Sequence, residues 1–375
     1  MLPKFYIVIA FFILFIFHFA VAQTGIDSIQ IPEKYSKFLS ASFNQGWIWK
    51  HRKSLAGLPE TYPKGFEINF GWQTNGRKAW NQYHNFPRWG INFLYYNFDN
   101  PQVYGQSIHS APYIDLFALK SKRHELYFKI GTGIAFYPVH YDKDKNPENV
   151  LVSLPFCATG LFGINYRFIF SPHWSGLVSA NFNHASNGSM RQPNFGINIP
   201  GFGAGVHYTF NPERVVFVKR ELPPVIKSWN FNANLSFSIR QSPSDSLNDL
   251  YYPAYTLTTY ISKRLARKSI VVAGFDGCLD QSLNFALRNN ADYKNGTYSI
   301  YRFAVTAGYE FVLTEKIHVM IQNAVYLYNP FKEDIPVYQR YGFKYLPIEN
   351  LYFGYLLKTH AGKADFWEFA VGVKI

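Results

Sequence analysis

A histidine and a serine stand two residues apart near the middle of the chain, within His184-Ala185-Ser186-Asn187. Residues two apart in an extended strand project from the same face, so we expect the imidazole and the hydroxyl to lie side by side. An imidazole that accepts the proton of a serine hydroxyl makes that hydroxyl a nucleophile for acyl transfer. The pair therefore predicts an esterase site, with Ser186 as nucleophile and His184 as general base.

Asparagine amides close to this pair could supply the other functions that acyl transfer needs. Asn198 has the same parity as the histidine and the serine, so a neighbouring strand would place it on the same face. Its amide oxygen could then fix the imidazole tautomer. The amides of Asn187 and Asn194, or backbone N–H groups around Gly188, could stabilise the oxyanion. This chemistry needs no cofactor, and the chain shows no metal-ligand spacing.

The strand that carries the pair alternates between apolar and polar residues. Even numbers carry Val178, Ala180 and Phe182, and odd numbers carry Ser179, Asn181 and Asn183. In a transmembrane barrel the apolar face meets lipid, so the catalytic pair is expected on the lipid-facing wall. Polar groups at the end of an apolar stripe cost free energy unless they are hydrogen-bonded or near the interface. Their position makes them a candidate functional site.

The composition favours a membrane barrel as the scaffold for this strand. Hydrophobic residues make up 48% of the chain, aromatic residues 19% and charged residues only 16%. Short alternating segments are separated by clusters of Asn, Pro, Gly, Asp and Lys, which predicts an all-β transmembrane antiparallel barrel of roughly 12–16 strands. The predicted strands are 41–50, 66–73, 88–98, 110–119, 125–137, 150–168, 174–184, 199–210, 229–240, 255–263, 269–278, 297–312, 317–327, 338–345, 351–358 and 366–375.

The N-terminus indicates an exported protein. An apolar run from Phe5 to Phe19 follows a short basic start and ends in Ala20-Val21-Ala22. This pattern predicts a signal peptide over residues 1–22 that is cleaved before Gln23, since the run is short for a spanning helix. No later stretch approaches the roughly 20 apolar residues that a membrane helix needs.

Three regions follow the predicted signal peptide. Residues 23–212 form the barrel region that contains the His-Ser motif, and residues 229–375 form further barrel strands with a closing C-terminal strand. Between them, residues 213–228 form a connector, because charges and the Pro223-Pro224 pair break the strand pattern. A soluble second domain is an alternative for the last region. One continuous barrel is favoured because the later strands are as aromatic as the earlier ones.

The net charge of +13 indicates an anionic partner or a solubilising excess in loops. Nucleic acid is an unsuitable partner for an exported barrel, whereas outer-membrane lipid with phosphorylated headgroups suits it. Arg191, in the loop after the motif, could approach such phosphates, or could simply be solvated. Cys157 and Cys278 are compatible with a disulfide, but Cys157 lies in an apolar run and is expected to pack as a small hydrophobe.

The motif block resembles that of a known family. His184-Ala185-Ser186-Asn187 and Asn194-Phe195-Gly196 are similar to the His-x-Ser-Asn and Asn-x-Gly motifs of lipid A 3-O-deacylases, which are grouped with acyloxyacyl hydrolase-like outer-membrane barrels. The resemblance implies His184 as base, Ser186 as nucleophile, and Asn187 and Asn194 near the oxyanion. It also implies lipid A of lipopolysaccharide as substrate and the bacterial outer membrane as location.

One position departs from the family pattern, and it leaves two functions open. The family's best-known members carry Glu where this chain has Asn198, and no acidic residue occurs between Glu148 and Glu213. The intact His-x-Ser-Asn block favours a lipid A esterase. The missing carboxylate and the large strand number favour a non-enzymatic barrel, either a pore or a structural protein, with a vestigial site. The sequence gives no indication of the oligomeric state.

Overall fold

The fold is built almost entirely from antiparallel strands. The structure, a computed structural model, describes residues 34–242, 250–289, 299–332 and 334–375. The predicted signal peptide lies outside these residues. These described residues contain sixteen strands, and each overlaps one of the predicted strands. The prediction of an all-β antiparallel barrel protein is therefore confirmed.

The first eight strands close into one barrel, in which β1 pairs with both β2 and β8. They are β1 (Ser36–Gly46), β2 (Lys64–Gln73), β3 (Arg88–Asn97), β4 (Gln106–Lys120), β5 (His124–Phe136), β6 (Phe156–Ile169), β7 (Trp174–Ser186) and β8 (Ile197–Thr209). A short helix, α1 (Ala79–Tyr83), lies between β2 and β3.

The last eight strands close into a second barrel, in which β9 pairs with both β10 and β16. They are β9 (Trp229–Gln241), β10 (Tyr251–Ala266), β11 (Ser269–Asp280), β12 (Tyr301–Val312), β13 (Ile317–Tyr328), β14 (Val337–Ile348), β15 (Leu351–His360) and β16 (Lys363–Lys374). Helix α2 (Ser282–Asn289) follows β11. Within the described part of the chain, no helix has the length and apolar character needed to cross a bilayer.

The expectation of one continuous barrel is wrong, because the chain forms two closed barrels. Strand β8 pairs with β1 along its length, for example Val206 opposite Ala41, which leaves no open edge for β9. Residues 210–228 between the barrels contain no strand and only a 3₁₀ turn, Pro212–Arg214. Alternation along a strand is the same in one large barrel as in two small ones, so the sequence pattern could not distinguish them.

Both barrels carry apolar side chains outward and polar side chains inward. On the first barrel Phe93 and Phe202 are exposed, while Asn92 and His207 are buried. The exposed large hydrophobic side chains of the second barrel include Leu235, Phe275 and Phe303. This alternation is that of a barrel whose outer wall faces lipid.

Hydrogen-bonded ion pairs fill the two barrel interiors. In the first barrel Arg88 Nε lies 3.1 Å from Asp115 Oδ2, and Lys129 Nζ lies 2.7 Å from Glu67 Oε1. In the second, Arg340 contacts both Asp276 and Glu368. A cavity of about 20 Å³ beside Glu67 has room for about one water molecule. Eight-stranded barrels are just wide enough for side chains to fill, and these ion pairs occupy both interiors.

The two cysteines lie in different barrels. Cys157 and Cys278 are both buried free thiols. Cys157 packs in the apolar cluster of the first barrel beside Leu161 and Ala185, as its apolar surroundings predict. The chain therefore does not use the disulfide that its cysteine content would permit.

Candidate active site

Strands β7 and β8 bring the predicted residues together on the outer wall of the first barrel. His184 lies directly opposite Asn198 in the β7–β8 register. Val178 and Phe202, which have the same parity on these strands, are 53% and 65% exposed. Asn183, of opposite parity, is buried and donates a hydrogen bond to Tyr96 Oη across the lumen. The site residues thus share the outward-facing parity, and Ser186 and Asn198 are themselves buried, with 8% and 7% of their surface exposed.

The His184 imidazole is paired with the amide of Asn198. His184 Nδ1 lies 2.7 Å from Asn198 Oδ1. An amide oxygen can only accept, so Nδ1 carries the proton and donates it to this bond. The lone pair of the imidazole is then on Nε2, which is the tautomer that a general base for Ser186 requires.

Two hydrogen-bond donors converge on the Ser186 hydroxyl. Asn194 Nδ2 donates to Ser186 Oγ at 2.8 Å, and the backbone N–H of Gly188 donates to it at 3.1 Å. Among the described residues no hydrogen bond joins Ser186 Oγ to His184. Such contacts often tighten only when substrate binds.

Gly196 lies against both members of the histidine–serine pair. A Cβ atom at Gly196 would be 2.9 Å from His184 Cε1 and 3.5 Å from Ser186 Cβ. Its φ of +75° also lies in the left-handed region that favours glycine. A glycine at this position therefore lets the imidazole sit beside the serine loop.

The Asn187 side chain forms its hydrogen bonds within the loop that follows β7. Its side-chain Nδ2 donates to Ser153 Oγ and to the carbonyl oxygen of Arg191, both at 2.9 Å, so it is directed into the loop and away from Ser186. Its backbone N–H donates to Asn194 Oδ1 at 3.2 Å. That bond holds the oxygen of the Asn194 amide and leaves the nitrogen facing the serine. Asn187 thus organises the loop, and Gly188 supplies the second donor.

Arg191 contributes its backbone to the same loop. Its carbonyl oxygen accepts hydrogen bonds from Asn187 and from Ser153 Oγ, the latter at 2.8 Å. The residue is half-buried. Binding of substrate phosphates by its side chain stays a prediction.

His51, which no sequence pattern singles out, lies next to Asn198. Asn198 Nδ2 is 3.0 Å from His51 Nδ1. The Trp49 N–H donates to the Asn198 carbonyl oxygen at 2.9 Å, which ties this segment to the start of β8. The two residues are 147 positions apart, and no local pattern in the sequence links them.

An apolar groove runs down the outer wall below the site. It has a volume of about 230 Å³, and its lining includes Ile164, Val178, Ala180 and Phe202. Ala180 lies four residues before His184 on the same face, which corresponds to about 13 Å along a strand. The groove is thus within reach of a chain whose end lies at the serine.

The second barrel touches the loop that carries the serine's donors. Ser189 Oγ donates to the carbonyl oxygen of Ala364 at 2.9 Å, and the Gln192 N–H donates to Gln241 Oε1 at 2.7 Å. Trp367 lies against Gly188. The Gly188 donor is therefore held between the two barrels.

Comparisons with known families divide the chain at the same place as the barrels. Residues 64–207 match the family described as lipid A 3-O-deacylase (PagL). Residues 228–375 match the family described as acyloxyacyl hydrolase, C-terminal domain. The first barrel is therefore similar to the lipid A 3-O-deacylase family and the second barrel to the acyloxyacyl hydrolase C-terminal family. This similarity agrees with the one that the motifs around His184 and Ser186 indicate.

Solved structures show a more distant similarity. One is the outer membrane enzyme PagL, which is 14% identical over 44% of this chain and 97% of its own, with a TM-score of 0.32. OpdK from Pseudomonas aeruginosa is 7% identical over 90% of this chain and 98% of its own, with a TM-score of 0.24. OccAB4 from Acinetobacter baumannii is 9% identical over 91% and 98%, with a TM-score of 0.25. No curated protein matches the sequence significantly.

Proposed function

We propose that the protein is an outer-membrane serine esterase that removes an ester-linked acyl chain from lipid A of lipopolysaccharide. The observation that carries the proposal is the hydrogen bond between His184 Nδ1 and Asn198 Oδ1, which leaves Nε2 as a base on the face that also carries Ser186. The family supports ester hydrolysis as the reaction class.

The proposed reaction proceeds through an acyl-serine. Ser186 Oγ bonds to the ester carbonyl carbon as its proton passes to His184 Nε2. Asn194 Nδ2 and the Gly188 N–H donate to the oxyanion of the tetrahedral intermediate. Collapse breaks the bond to the lipid A oxygen, which takes the proton from His184. Water then attacks the acyl-serine by the same route and releases the fatty acid.

The position of the site favours a lipid substrate. An ester on the outer wall is reached within the membrane plane, and the groove through Ala180 can take the acyl chain in an apolar environment. The connections 47–63, 98–105, 137–155 and 187–196 lie at the site's end of the barrel, while the other end has the short turns 121–123 and 170–173 and the longer connection 74–87, which carries α1. Outer loops are generally longer than periplasmic turns in bacterial barrels, so we place the site in the outer leaflet, where lipid A resides.

The alternative function is a non-enzymatic barrel with a vestigial site. The observation that favours it is Asn198, which supplies no negative charge to a protonated His184. A structural role fits better than a pore, because side chains fill both barrel interiors.

Fatty acid release by purified protein tests the proposal. The full chain in detergent micelles is incubated with lipid A, and free fatty acid is measured by mass spectrometry. We expect release that Ser186→Ala abolishes and Ser121→Ala preserves, since Ser121 lies in an exposed turn at the opposite end of the barrel. Release that persists at the native rate in Ser186→Ala would refute the serine mechanism, and no release by the native chain would favour the vestigial site.

A further inference from the structure

Three side chains form a continuous hydrogen-bonded row behind Ser186. His184 Nδ1 bonds Asn198 Oδ1 at 2.7 Å, and Asn198 Nδ2 bonds His51 Nδ1 at 3.0 Å. His51 comes from the segment after β1, whereas the other two come from β7 and β8. The row therefore extends from His184 through Asn198 to His51, which lies outside the β7–β8 pair.

An amide in this position has a requirement that a carboxylate lacks. Either oxygen of a carboxylate can accept the His184 proton, whereas an amide has one accepting end and one donating end. If Asn198 were turned over, its nitrogen would face His184 Nδ1 and the imidazole proton would move to Nε2. That tautomer has no lone pair toward Ser186. Catalysis with Asn198 thus requires a neighbouring group that keeps the amide oxygen, and not the amide nitrogen, facing His184 Nδ1.

We propose that His51 is a positioning residue that fixes the Asn198 amide and thereby the tautomer of His184. This inference rests on the proposed function and deepens it. In the neutral form with its proton on Nε2, His51 presents the Nδ1 lone pair to Asn198 Nδ2. The Asn198 oxygen must then face His184. In orienting the imidazole, His51 and Asn198 together do what a carboxylate at position 198 would do alone.

The surroundings of His51 support the neutral acceptor form. Burial, together with the nearby Arg52 guanidinium, holds the pKa of His51 below its usual value. The Trp49 carbonyl oxygen lies 3.4 Å from the same Nδ1, a contact that would need a proton on that nitrogen. The contact to Asn198 is shorter, at 3.0 Å, and needs the lone pair. Neutral His51 with its proton on Nε2 therefore accepts a hydrogen bond from Asn198 Nδ2 and does not donate one to the Trp49 carbonyl oxygen.

Kinetics of His51 variants in two backgrounds test the proposal. His51→Phe keeps a ring beside Trp49 but removes the acceptor, and His51→Asn can place an amide oxygen where Nδ1 was. On an ester substrate we expect His51→Phe to lower kcat about tenfold with little change in KM, and His51→Asn to retain most of the activity. In an Asn198→Asp background, His51→Phe should have little effect, because a carboxylate needs no orientation. An equal loss in both backgrounds would overturn the proposal.

The tautomer of His184 gives a readout that does not depend on activity. Side-chain ¹⁵N spectra of histidine-labelled protein in micelles, assigned by a His184→Gln variant, report which ring nitrogen carries the proton. We expect protonated Nδ1 in the native chain and in His51→Asn, and a mixture of tautomers in His51→Phe. An unchanged tautomer in His51→Phe would overturn the proposal. A tautomer shift without ester hydrolysis by the native chain would support the positioning role and reject the proposed function.

Discussion

Asn198 gives the His184 imidazole an uncharged hydrogen-bond partner. Asn198 Oδ1 orients the imidazole but adds no negative charge to balance His184 when the imidazole is protonated during catalysis. A carboxylate makes a charge-assisted hydrogen bond, which is about twice as strong as a neutral one. Asn198 therefore orients the His184 imidazole, but it stabilises the protonated imidazole less than a carboxylate would.

Asn198→Asp places a negative charge beside His184 without changing the length of the side chain. We expect kcat for ester hydrolysis to rise about tenfold, because the carboxylate stabilises the protonated imidazole. Initial rates at saturating substrate measure the effect. Asn230→Asp, at the far end of the second barrel, is the control for added charge. A rate equal to or below that of the native chain would show that the charge at position 198 does not limit the reaction.

Gly196 offers a test of how closely the imidazole is packed. Gly196→Ala would strain a backbone with φ of +75° and press a Cβ atom on His184 Cε1. We expect kcat to fall about 100-fold, the effect of a small misplacement of a catalytic group. Gly176→Ala, on the β7 strand that carries His184, is the control, since its Cβ would be 4.0 Å from its nearest neighbour. Equal activities of the two variants would contradict the packing argument.

At the residue scale, the two-residue period of a strand predicted which face a strand residue occupies, but it could not predict the directions of side chains in loops. It placed Asn198 on the face of His184, because both strands keep the two-residue period across one register. Side-chain rotation inside a loop has no such period. The direction of the Asn187 amide and the approach of His51 depend on contacts between distant segments, which no pattern along the sequence indicates.

The strands could be predicted well because each must alternate to place one face in lipid. The boundaries of β7, for example, differ from prediction only at the end, where Ala185 and Ser186 remain in the strand. The loop over residues 187–196 could not be predicted in the same way. Its conformation rests on hydrogen bonds such as Asn187 to Ser153, which connect segments far apart in the sequence.

The outer-wall groove leads to a prediction about chain length at the level of strands β6, β7 and β8. Ala180→Phe would fill the groove, so we expect kcat/KM to fall for long-chain esters while short-chain esters are hydrolysed as before. Rates for a series of esters with increasing acyl length measure this. Ala273→Phe, on the outer face of the second barrel, is the control for added apolar surface. Equal losses for short and long chains would rule out the groove as the acyl site.

At the scale of the whole molecule, strand number was predictable and closure was not. Closure depends on which strands pair, and the β8–β1 pairing joins residues at opposite ends of the first barrel's sequence. The consequence is that the second barrel is a neighbour of the site rather than part of its wall. It contacts the loop through Ala364 and Gln241.

From those contacts we predict that the second barrel restricts the motion of the loop that carries the Gly188 N–H donor. The double variant Ser189→Ala with Gln241→Ala removes side-chain bonds between the loop and the second barrel. We expect faster hydrogen exchange in residues 187–196 and a kcat lowered about tenfold. Glu315→Ala is the control, because Glu315 bonds the Trp80 N–H at the opposite end of the barrels. Unchanged exchange in the double variant would show that the loop does not depend on the second barrel.

The composition of lipid A in cells tests the central claim most directly. Lipid A is extracted from bacteria that express the native chain or Ser186→Ala at equal levels in the outer membrane, and its mass is measured. The proposed function predicts that the native chain produces lipid A lighter by one acyl chain, and that Ser186→Ala leaves it intact. Identical lipid A masses with the native chain and with Ser186→Ala would contradict it.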